Sequence, residues 1–148
     1  MERIIRQLHE GGYSCVVRSG TAVRTFTRRG VADLYDLLGS DSAFLRGASV
    51  ADRVIGKAAA ALLVAGGVRE AYADVIGAGA LALLRRSPVA IGYGEKVPYI
   101  ADRTRTGWCP LEARCRTAVT VAECLSRIED FLHVAYGGPA AAKYAENE

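Results

Sequence analysis

Apolar residues along the chain alternate between runs at helical spacing and runs at extended spacing. The first run, over residues 2–10, predicts an amphipathic helix that ends at Gly11-Gly12. Two β-rich runs, at residues 13–17 and 22–27, predict a hairpin around Ser19-Gly20. The later predicted elements are, in chain order, a helix at 31–39, a loop at 40–47, a short strand at 48–50, a helix at about 53–65, a strand at 71–76, a short helix at 79–86, strands at 89–93 and 97–101, a turn of helix at Pro110 and a last helix at about 121–135.

This order of elements predicts one three-layer α/β domain built on a mixed β-sheet. At 148 residues the chain is long enough to bury a sizeable core without disulfide or metal cross-links. We expect the domain to span residues 1–148. Its last helix is predicted to stop at Gly137-Gly138-Pro139, with a frayed tail from about residue 138.

Composition and charge argue against nucleic acid and membrane partners. The arginines are scattered over different predicted elements, so the net charge of +3 forms no basic stripe. No run approaches the ~20 apolar residues that a membrane helix needs, and charges interrupt the first residues where a signal peptide is apolar. We therefore expect a cytoplasmic protein whose partner is a small molecule, and the sequence leaves assembly into a homo-oligomer open.

The four cysteines lack the spacing of a metal site. They are Cys15, Cys109, Cys115 and Cys124. No pair forms a Cys-x-x-Cys motif, and the two histidines, His9 and His133, lie near opposite ends of the chain. We predict reduced thiols, no zinc site and no cofactor.

The first candidate site is the run Asp52-Arg53-Val54-Ile55-Gly56-Lys57-Ala58 at the start of a long apolar helix. Asp52 is predicted to be the N-cap of that helix. Lys57 is one of only three lysines among 19 basic residues, and a cation at that end opposes the helix dipole. Such an amine suits anion binding or catalysis. The alternative is a lysine that reaches solvent or pairs with Asp52.

The second candidate is Trp108-Cys109-Pro110-Leu111-Glu112. Proline at the first helical position and glutamate in the first turn predict a helix start with Cys109 as the N-cap. The helix dipole and nearby arginines favour the thiolate at that position, which suits a nucleophile. The alternative is an incidental small residue. The other three cysteines are predicted to fill the core or the surface.

A third pattern, Gly77-Ala78-Gly79-Ala80-Leu81-Ala82, follows a strand and opens a helix. This is the arrangement of a dinucleotide-binding fingerprint, and Glu95 stands at about the spacing of the ribose-binding acid. The alternative is a tight strand-to-helix turn that requires glycine.

The run Asp52–Ala60, followed much later by Cys109-Pro110-Leu111-Glu112, resembles the prokaryotic family called domain of unknown function 1893. Tyr72-Ala73-Asp74-Val75-Ile76 and Val97-Pro98-Tyr99-Ile100 are similar to the same family, so the resemblance covers nearly the whole chain. It implies a cytidine-deaminase-like fold.

Zinc deaminases carry His-x-Glu at the start of one helix and Pro-Cys-x-x-Cys at the start of the next. The corresponding positions here hold Gly56-Lys57-Ala58 and Gly77-Ala78-Gly79-Ala80, which supply neither zinc ligands nor the catalytic glutamate. We therefore reject zinc-dependent deamination. The resemblance still implies a pocket at two helix N-termini, a place suited to anions.

The leading hypothesis is a zinc-free deaminase-like domain that binds a small anionic or nucleotide-like ligand. In it Asp52 orients Lys57, Cys109 acts as a nucleophile and Glu112 carries a proton. The predicted catalytic residues are Lys57, Cys109, Asp52 and Glu112. The predicted ligand-binding residues are Gly56, Lys57, Gly77 and Gly79. The alternative function is a non-enzymatic sensor or protein-interaction module.

Overall fold

A computed structural model describes residues 1–28, 30–102 and 104–136, with the side chains of the last helix described to residue 133. The predicted stop of that helix and the predicted tail from 138 lie outside the described residues. The helices are α1 (Glu2–Glu10), α2 (Ala32–Ser40), α3 (Ser42–Leu45), α4 (Lys57–Ala65), α5 (Ala78–Arg85), α6 (Pro110–Cys115) and α7 (Val121–Tyr136). The strands are β1 (Cys15–Ser19), β2 (Ala22–Phe26), β3 (Ser49–Ile55), β4 (Glu70–Gly77) and β5 (Ala90–Val97). None of the described helices is both long and apolar enough to cross a membrane.

The five strands form one mixed sheet in the order β2-β1-β3-β4-β5. β1 runs antiparallel to both β2 and β3, whereas β3, β4 and β5 are parallel. The predicted hairpin is confirmed, with Ser19 paired to Ala22 and Gly20 at the turn in the left-handed region (φ +61°) that glycine adopts without strain. The predicted α/β class and mixed sheet are also confirmed.

Helices cover both faces of the sheet. α1 packs Ile4 and Leu8 against Val16 of β1 and Ala51 of β3, in a small cluster of its own. Neighbouring strand residues such as Val17 point to the opposite face, because successive side chains of a strand alternate, and there they join the main core with the other helices. The sheet therefore lies between α1 and a larger helical layer.

Two predictions about the first candidate segment are wrong. Residues 53–55 belong to β3, which extends from Ser49 to Ile55, and α4 begins only at Lys57. Asp52 is consequently a strand residue, and Gly56 is the N-cap of α4. The reason is tertiary: β3 lies at the centre of the sheet, where β1 and β4 supply hydrogen-bond partners along most of its length.

Two further predictions need correction. The predicted loop at 40–47 contains the single helical turn α3, which buries Leu45. The segment 97–101 is not a separate strand, because β4 ends at Gly77 opposite Val97 and leaves no partner beyond that pair. There Ala101 makes only an isolated bridge to Trp108.

Candidate functional site

A cavity of about 500 Å³ opens where the sheet meets the helical layer. Its walls come from β1, β3, the start of α2, the start of α4, residues 100–102 and the start of α6. A depression of similar volume on α1 is bounded by residues of that one helix alone, so it encloses little. The carboxyl, thiol and guanidinium groups that could carry chemistry therefore lie in the cavity between the sheet and the helices.

Asp52 lies in the cavity wall, in the middle of β3 and directly opposite Cys15 of β1. Its carboxyl is 9% exposed; Oδ1 accepts a hydrogen bond from the backbone N–H of Val54 at 3.2 Å. Burial raises the pKa of the Asp52 carboxyl to about 7. The N–H groups of Val54 and Arg53 and the Cys15 thiol act in the opposite direction, while the charge of Asp33 adds to the rise. Asp52 therefore changes its protonation state near neutral pH.

The Cys15 thiol is the partner of this carboxyl. Burial, followed by the negative charges of Asp52 and Asp33, raises the pKa of Cys15 well above its ordinary value. It is therefore a protonated thiol that donates a hydrogen bond to Asp52 rather than a nucleophile. The prediction that Cys15 fills the core is confirmed, since it is 4% exposed.

Glu112 lies on the opposite side of the cavity and caps α4. Its carboxylate accepts hydrogen bonds from the backbone N–H groups of Lys57 at 2.8 Å and Ala58 at 3.2 Å. Gly56 permits this approach, because a Cβ at that position would collide with the Glu112 carboxylate. The cap predicted for Asp52 is thus supplied by a residue more than fifty positions further along the chain.

Lys57 turns away from this cavity. Its ammonium donates to the carbonyl oxygens of Arg116 at 3.2 Å and Ala118 at 2.6 Å, in the connection between α6 and α7. Asp52 is not among these partners, so the prediction that Asp52 orients Lys57 is wrong. The physical reason is that Asp52 ends up on a strand rather than in the first turn of the helix.

Cys109 is the N-cap residue of α6, followed by Pro110 in the first turn, as predicted. Its backbone N–H donates to the carbonyl of Ile100, and its thiol makes no capping hydrogen bond. The half-buried side chain lines the same cavity as Asp52. Of the predicted catalytic residues, the cavity therefore brings together Asp52, Cys109 and Glu112.

Gly77 and Gly79 are not among the described residues that line the cavity. Gly77 is the buried N-cap of α5, with Ile100 packed against it at 3.5 Å from the position of an added Cβ. Gly79 is exposed and lies beside the Lys57 side chain. Glu95 lies within β5 rather than after it.

Sequence reasoning missed an ion-pair cluster on the β2–α2 side of the cavity. Nε of Arg28 donates to Asp33 at 2.6 Å, and Nη2 donates to Asp36 at 2.7 Å. Asp33 is 7% exposed, and Arg28 and Asp33 both line the cavity. The available signal was a pair of aspartates three positions apart on one helix, shortly after a basic pair.

A second missed arginine fixes the end of α1. The Arg53 guanidinium donates to the carbonyls of Tyr13 at 2.6 Å and Leu8 at 3.1 Å. These contacts join residues about forty positions apart, and no local sequence pattern predicts them. Both arginines of the cavity wall therefore already donate to groups of the protein.

A short loop closes the remaining side of the cavity. Ala101 bridges to Trp108, and the Trp108 ring stacks on Tyr99 with 4.8 Å between centroids. Asp102 at the loop start accepts hydrogen bonds from Thr104 and Thr106. These contacts position Ile100 and Ala101 against the cavity. Among the residues that the structure describes, no group of three or more His, Cys, Asp or Glu side chains is arranged to hold a metal ion.

Comparison with known proteins places the chain in a family. The sequence model described as "Domain of unknown function (DUF1893)" matches residues 3–132. The crystal structure of a DUF1893 family protein (TM1506) from Thermotoga maritima is similar in fold, with a TM-score of 0.81 and 21% sequence identity over 88% of each chain. No curated protein matches the chain. The match over most of the sequence and the shared fold establish that this chain belongs to the DUF1893 family.

Proposed function

We propose that the cavity binds a small, uncharged, nucleobase-like ligand and that Asp52 exchanges a proton with it. The observation that carries this proposal is the Asp52 carboxyl, which is buried in the cavity wall and has a pKa raised to about 7 by that burial. A carboxyl that titrates near neutral pH is suited to general acid–base chemistry. Keeping an ionisable group there costs stability, which favours a functional role over a structural one.

The charges around the cavity favour a neutral ligand over an anion. Three buried carboxyl groups, those of Asp33, Asp52 and Glu112, face it. The guanidiniums of Arg28 and Arg53 donate to carboxylates and carbonyls of the protein itself. An anionic group would therefore meet like charge without a dedicated cation.

The remaining walls suit a planar heterocycle. Leu34, Ile100, Pro110 and Leu111 contribute apolar surface, on which the faces of a ring can pack. A carboxyl that is protonated or ionised near pH 7 can accept from a ring amine and donate to a ring nitrogen, as proteins do when they bind the hydrogen-bonding edge of a base. The proposed ligand is thus nucleotide-like, as the sequence-based hypothesis expected, but Asp52 rather than Lys57 recognises it.

In an enzyme of this kind Asp52 would carry the proton and Cys109 would be the nucleophile, since both side chains line the cavity. Glu112 and Lys57 are engaged in hydrogen bonds that hold α4 and the α6–α7 connection. We therefore assign them positioning roles. The strand order is compatible with kinship to zinc deaminases, but the positions of Gly56-Lys57-Ala58 supply no zinc chemistry.

A second candidate is a non-enzymatic sensor. The observation that favours it is that two of the four predicted catalytic side chains, Lys57 and Glu112, already make structural hydrogen bonds. Under this function the cavity binds the same class of ligand without turnover. Iodoacetamide separates the two: a nucleophile at Cys109 reacts faster than the buried thiols and its alkylation is slowed by bound ligand.

The proposal is tested by titrating the protein with cytosine, adenine, guanine and their nucleosides, and separately with inorganic phosphate, while the melting temperature is followed. We expect at least one base or nucleoside to raise the melting temperature of the wild type, and Asp52→Asn to weaken its binding at least tenfold. Asp130→Asn, at an exposed position of α7 outside the cavity lining, is the matched control and should bind as the wild type does.

The proposal fails if none of these bases or nucleosides binds, or if Asp52→Asn binds as well as the wild type. A shift with phosphate alone, lost in Lys57→Met, would instead support the anion site predicted at Lys57, Gly77 and Gly79.

A further inference from the structure

Two thiols meet between the last two helices, outside the cavity. Cys115 is the last residue of α6 and Cys124 lies in the first turns of α7; both are completely buried. The two thiols are neighbours in the packed space between α6 and α7, since each is the strongest influence on the pKa of the other. The helices are joined by residues 116–120.

The surroundings of this pair stabilise one thiolate. The interaction with Cys115 is the largest influence on the Cys124 thiol and lowers its pKa. The positive charges of Lys57 and Arg127 act in the same direction, whereas burial and the negative charge of Glu112 raise the pKa. The net result is a pKa of about 7 for the Cys124 thiol. The interaction with Cys124, together with burial, raises the pKa of the Cys115 thiol. The pair therefore holds its more acidic sulfur on α7 and its less acidic thiol on α6.

Lys57 contributes through geometry as well as charge. Its ammonium donates to the carbonyls of Arg116 and Ala118, the residues that directly follow Cys115 and α6. This contact places a cation beside the two sulfurs and fixes the connection from which α7 begins. It also gives a role to Lys57, whose side chain points away from the cavity.

We propose that Cys115 and Cys124 form a redox site at which a hydroperoxide oxidises the two thiols to a disulfide that joins α6 to α7. The proposal rests on two neighbouring thiols that are completely buried between α6 and α7, with the Lys57 ammonium on the adjoining connection, and it does not depend on the ligand of the cavity. Cys15 and Cys109 carry no such proposal, because the thiol of Cys15 is paired with Asp52 and Cys109 lies at the opposite end of α6 from Cys115.

The reaction balances with hydrogen peroxide as the oxidant. The Cys124 sulfur attacks one peroxide oxygen, the O–O bond breaks, and the departing hydroxide takes a proton to become water. Cys115 then attacks the Cys124 sulfur; the S–S bond forms, the S–OH bond breaks, and the Cys115 proton leaves with that hydroxide as a second water. Two thiols lose two electrons and one peroxide gains them.

The route to the buried pair runs through the α6–α7 connection. α6 has only six residues, and the connection is largely exposed, with Val119 72% exposed. Local opening of such a short segment is a low-energy event and admits a small oxidant. The disulfide would fix α6, whose first residues Pro110, Leu111 and Glu112 form one wall of the cavity.

The experiment is to treat the folded protein with a small excess of hydrogen peroxide, denature it, block free thiols with N-ethylmaleimide and measure mass. We expect two of the four thiols to escape alkylation, and proteolysis to give one disulfide-linked peptide pair that contains Cys115 and Cys124. Cys109→Ala is the matched control and keeps the reaction, whereas Cys124→Ser abolishes it.

A comparison in urea tests whether the folded structure brings the pair together, and it requires no variant. The linked peptide should form at least tenfold faster in the native protein than in the unfolded one, and the oxidised protein should melt at a higher temperature than the reduced protein. The proposal is overturned if Cys115 and Cys124 stay alkylatable while Cys109 is oxidised, or if the disulfide forms no faster in the native state.

Discussion

Asp52 and Glu112 are two carboxyl groups on opposite sides of one cavity, buried to almost the same degree at 9% and 7% exposure. Glu112 accepts hydrogen bonds from two amides at the N-terminus of α4, where the helix dipole favours a negative charge. Asp52 accepts from the Val54 amide at 3.2 Å, and burial raises its pKa to about 7 against the opposing effects of the Val54 and Arg53 amides and the Cys15 thiol. Two carboxyl groups with nearly equal burial therefore differ in effect: the Glu112 carboxylate stabilises the fold, whereas an ionised Asp52 destabilises it.

The pH dependence of stability should show the largest difference between Asp52 and Glu112. Because the folded-state pKa of Asp52 is raised above its unfolded value of 3.8, its favourable contribution is fully present below about pH 4 and is lost as the pH rises through about 7. Relative to the wild type, Asp52→Asn should therefore gain unfolding free energy from pH 4 to pH 8, by up to about 4 kcal/mol at one pKa unit per ~1.4 kcal/mol. Urea denaturation at each pH measures the difference.

Asp36→Asn provides the matched control for that series, because Asp36 is ion-paired with Arg28 at 2.7 Å. It removes the charge of an aspartate held by an ion pair, and the two pH series are compared directly. An Asp52→Asn difference that stays constant over this range would remove the basis for a functional Asp52.

Deletion of the stabilising carboxylate should have the second largest effect. Glu112→Ala leaves the amides of Lys57 and Ala58 without their partner inside the protein, at an expected loss of about 2–3 kcal/mol in unfolding free energy. Glu112→Gln keeps an acceptor oxygen and should lose about half as much. Urea unfolding at pH 7 gives both values.

Glu123→Ala serves as the comparison for the helix cap. Glu123 is exposed, accepts from Val119 and Thr120 just before α7 only at 3.5 and 3.4 Å, and pairs with Arg127 at 3.8 Å. It should lose less than about 1 kcal/mol. Equal losses for Glu112→Ala and Glu123→Ala would mean that the buried cap has no special importance.

The smallest expected effect concerns the glycine that lets Glu112 approach. Gly56→Ala places a Cβ against the Glu112 carboxylate and should destabilise the protein by about 1–2 kcal/mol, because the cap must shift. Gly39→Ala, inside α2 with open space around the added carbon, should be neutral or stabilise by about 0.5–1 kcal/mol. Opposite signs are expected in thermal denaturation; a stabilised Gly56→Ala would show that the carboxylate does not depend on this close approach.

The sequence predicted those parts of the molecule that local pattern controls. The hairpin, α2, β4, α5 and the start of α6 at Cys109-Pro110 follow from apolar spacing, glycine and proline, each of which acts within a few residues. The strand β3 was missed at residues 53–55, because its hydrogen bonds come from β1 and β4, remote in sequence.

The candidate site shows the same limit more sharply. The sequence selected Asp52, Cys109 and Glu112, which the cavity brings together, but assigned the helix cap to Asp52. The true cap, Glu112, acts across more than fifty residues, and the partners of Lys57 and Arg53 are equally distant. Residue type and spacing predicted which groups are chemically interesting, whereas their roles depend on contacts that only the fold creates.

The proposed function requires that Asp52 titrates near neutral pH inside the folded protein. It is tested most directly by a ¹³C NMR titration of the aspartate side-chain carboxyl carbons in the wild type and in Asp52→Asn. We predict one aspartate resonance with a midpoint near pH 7 that is absent from the variant. If every aspartate of the wild type titrates below pH 5, Asp52 is an ordinary carboxylate, and the proposed acid–base role of the cavity is wrong.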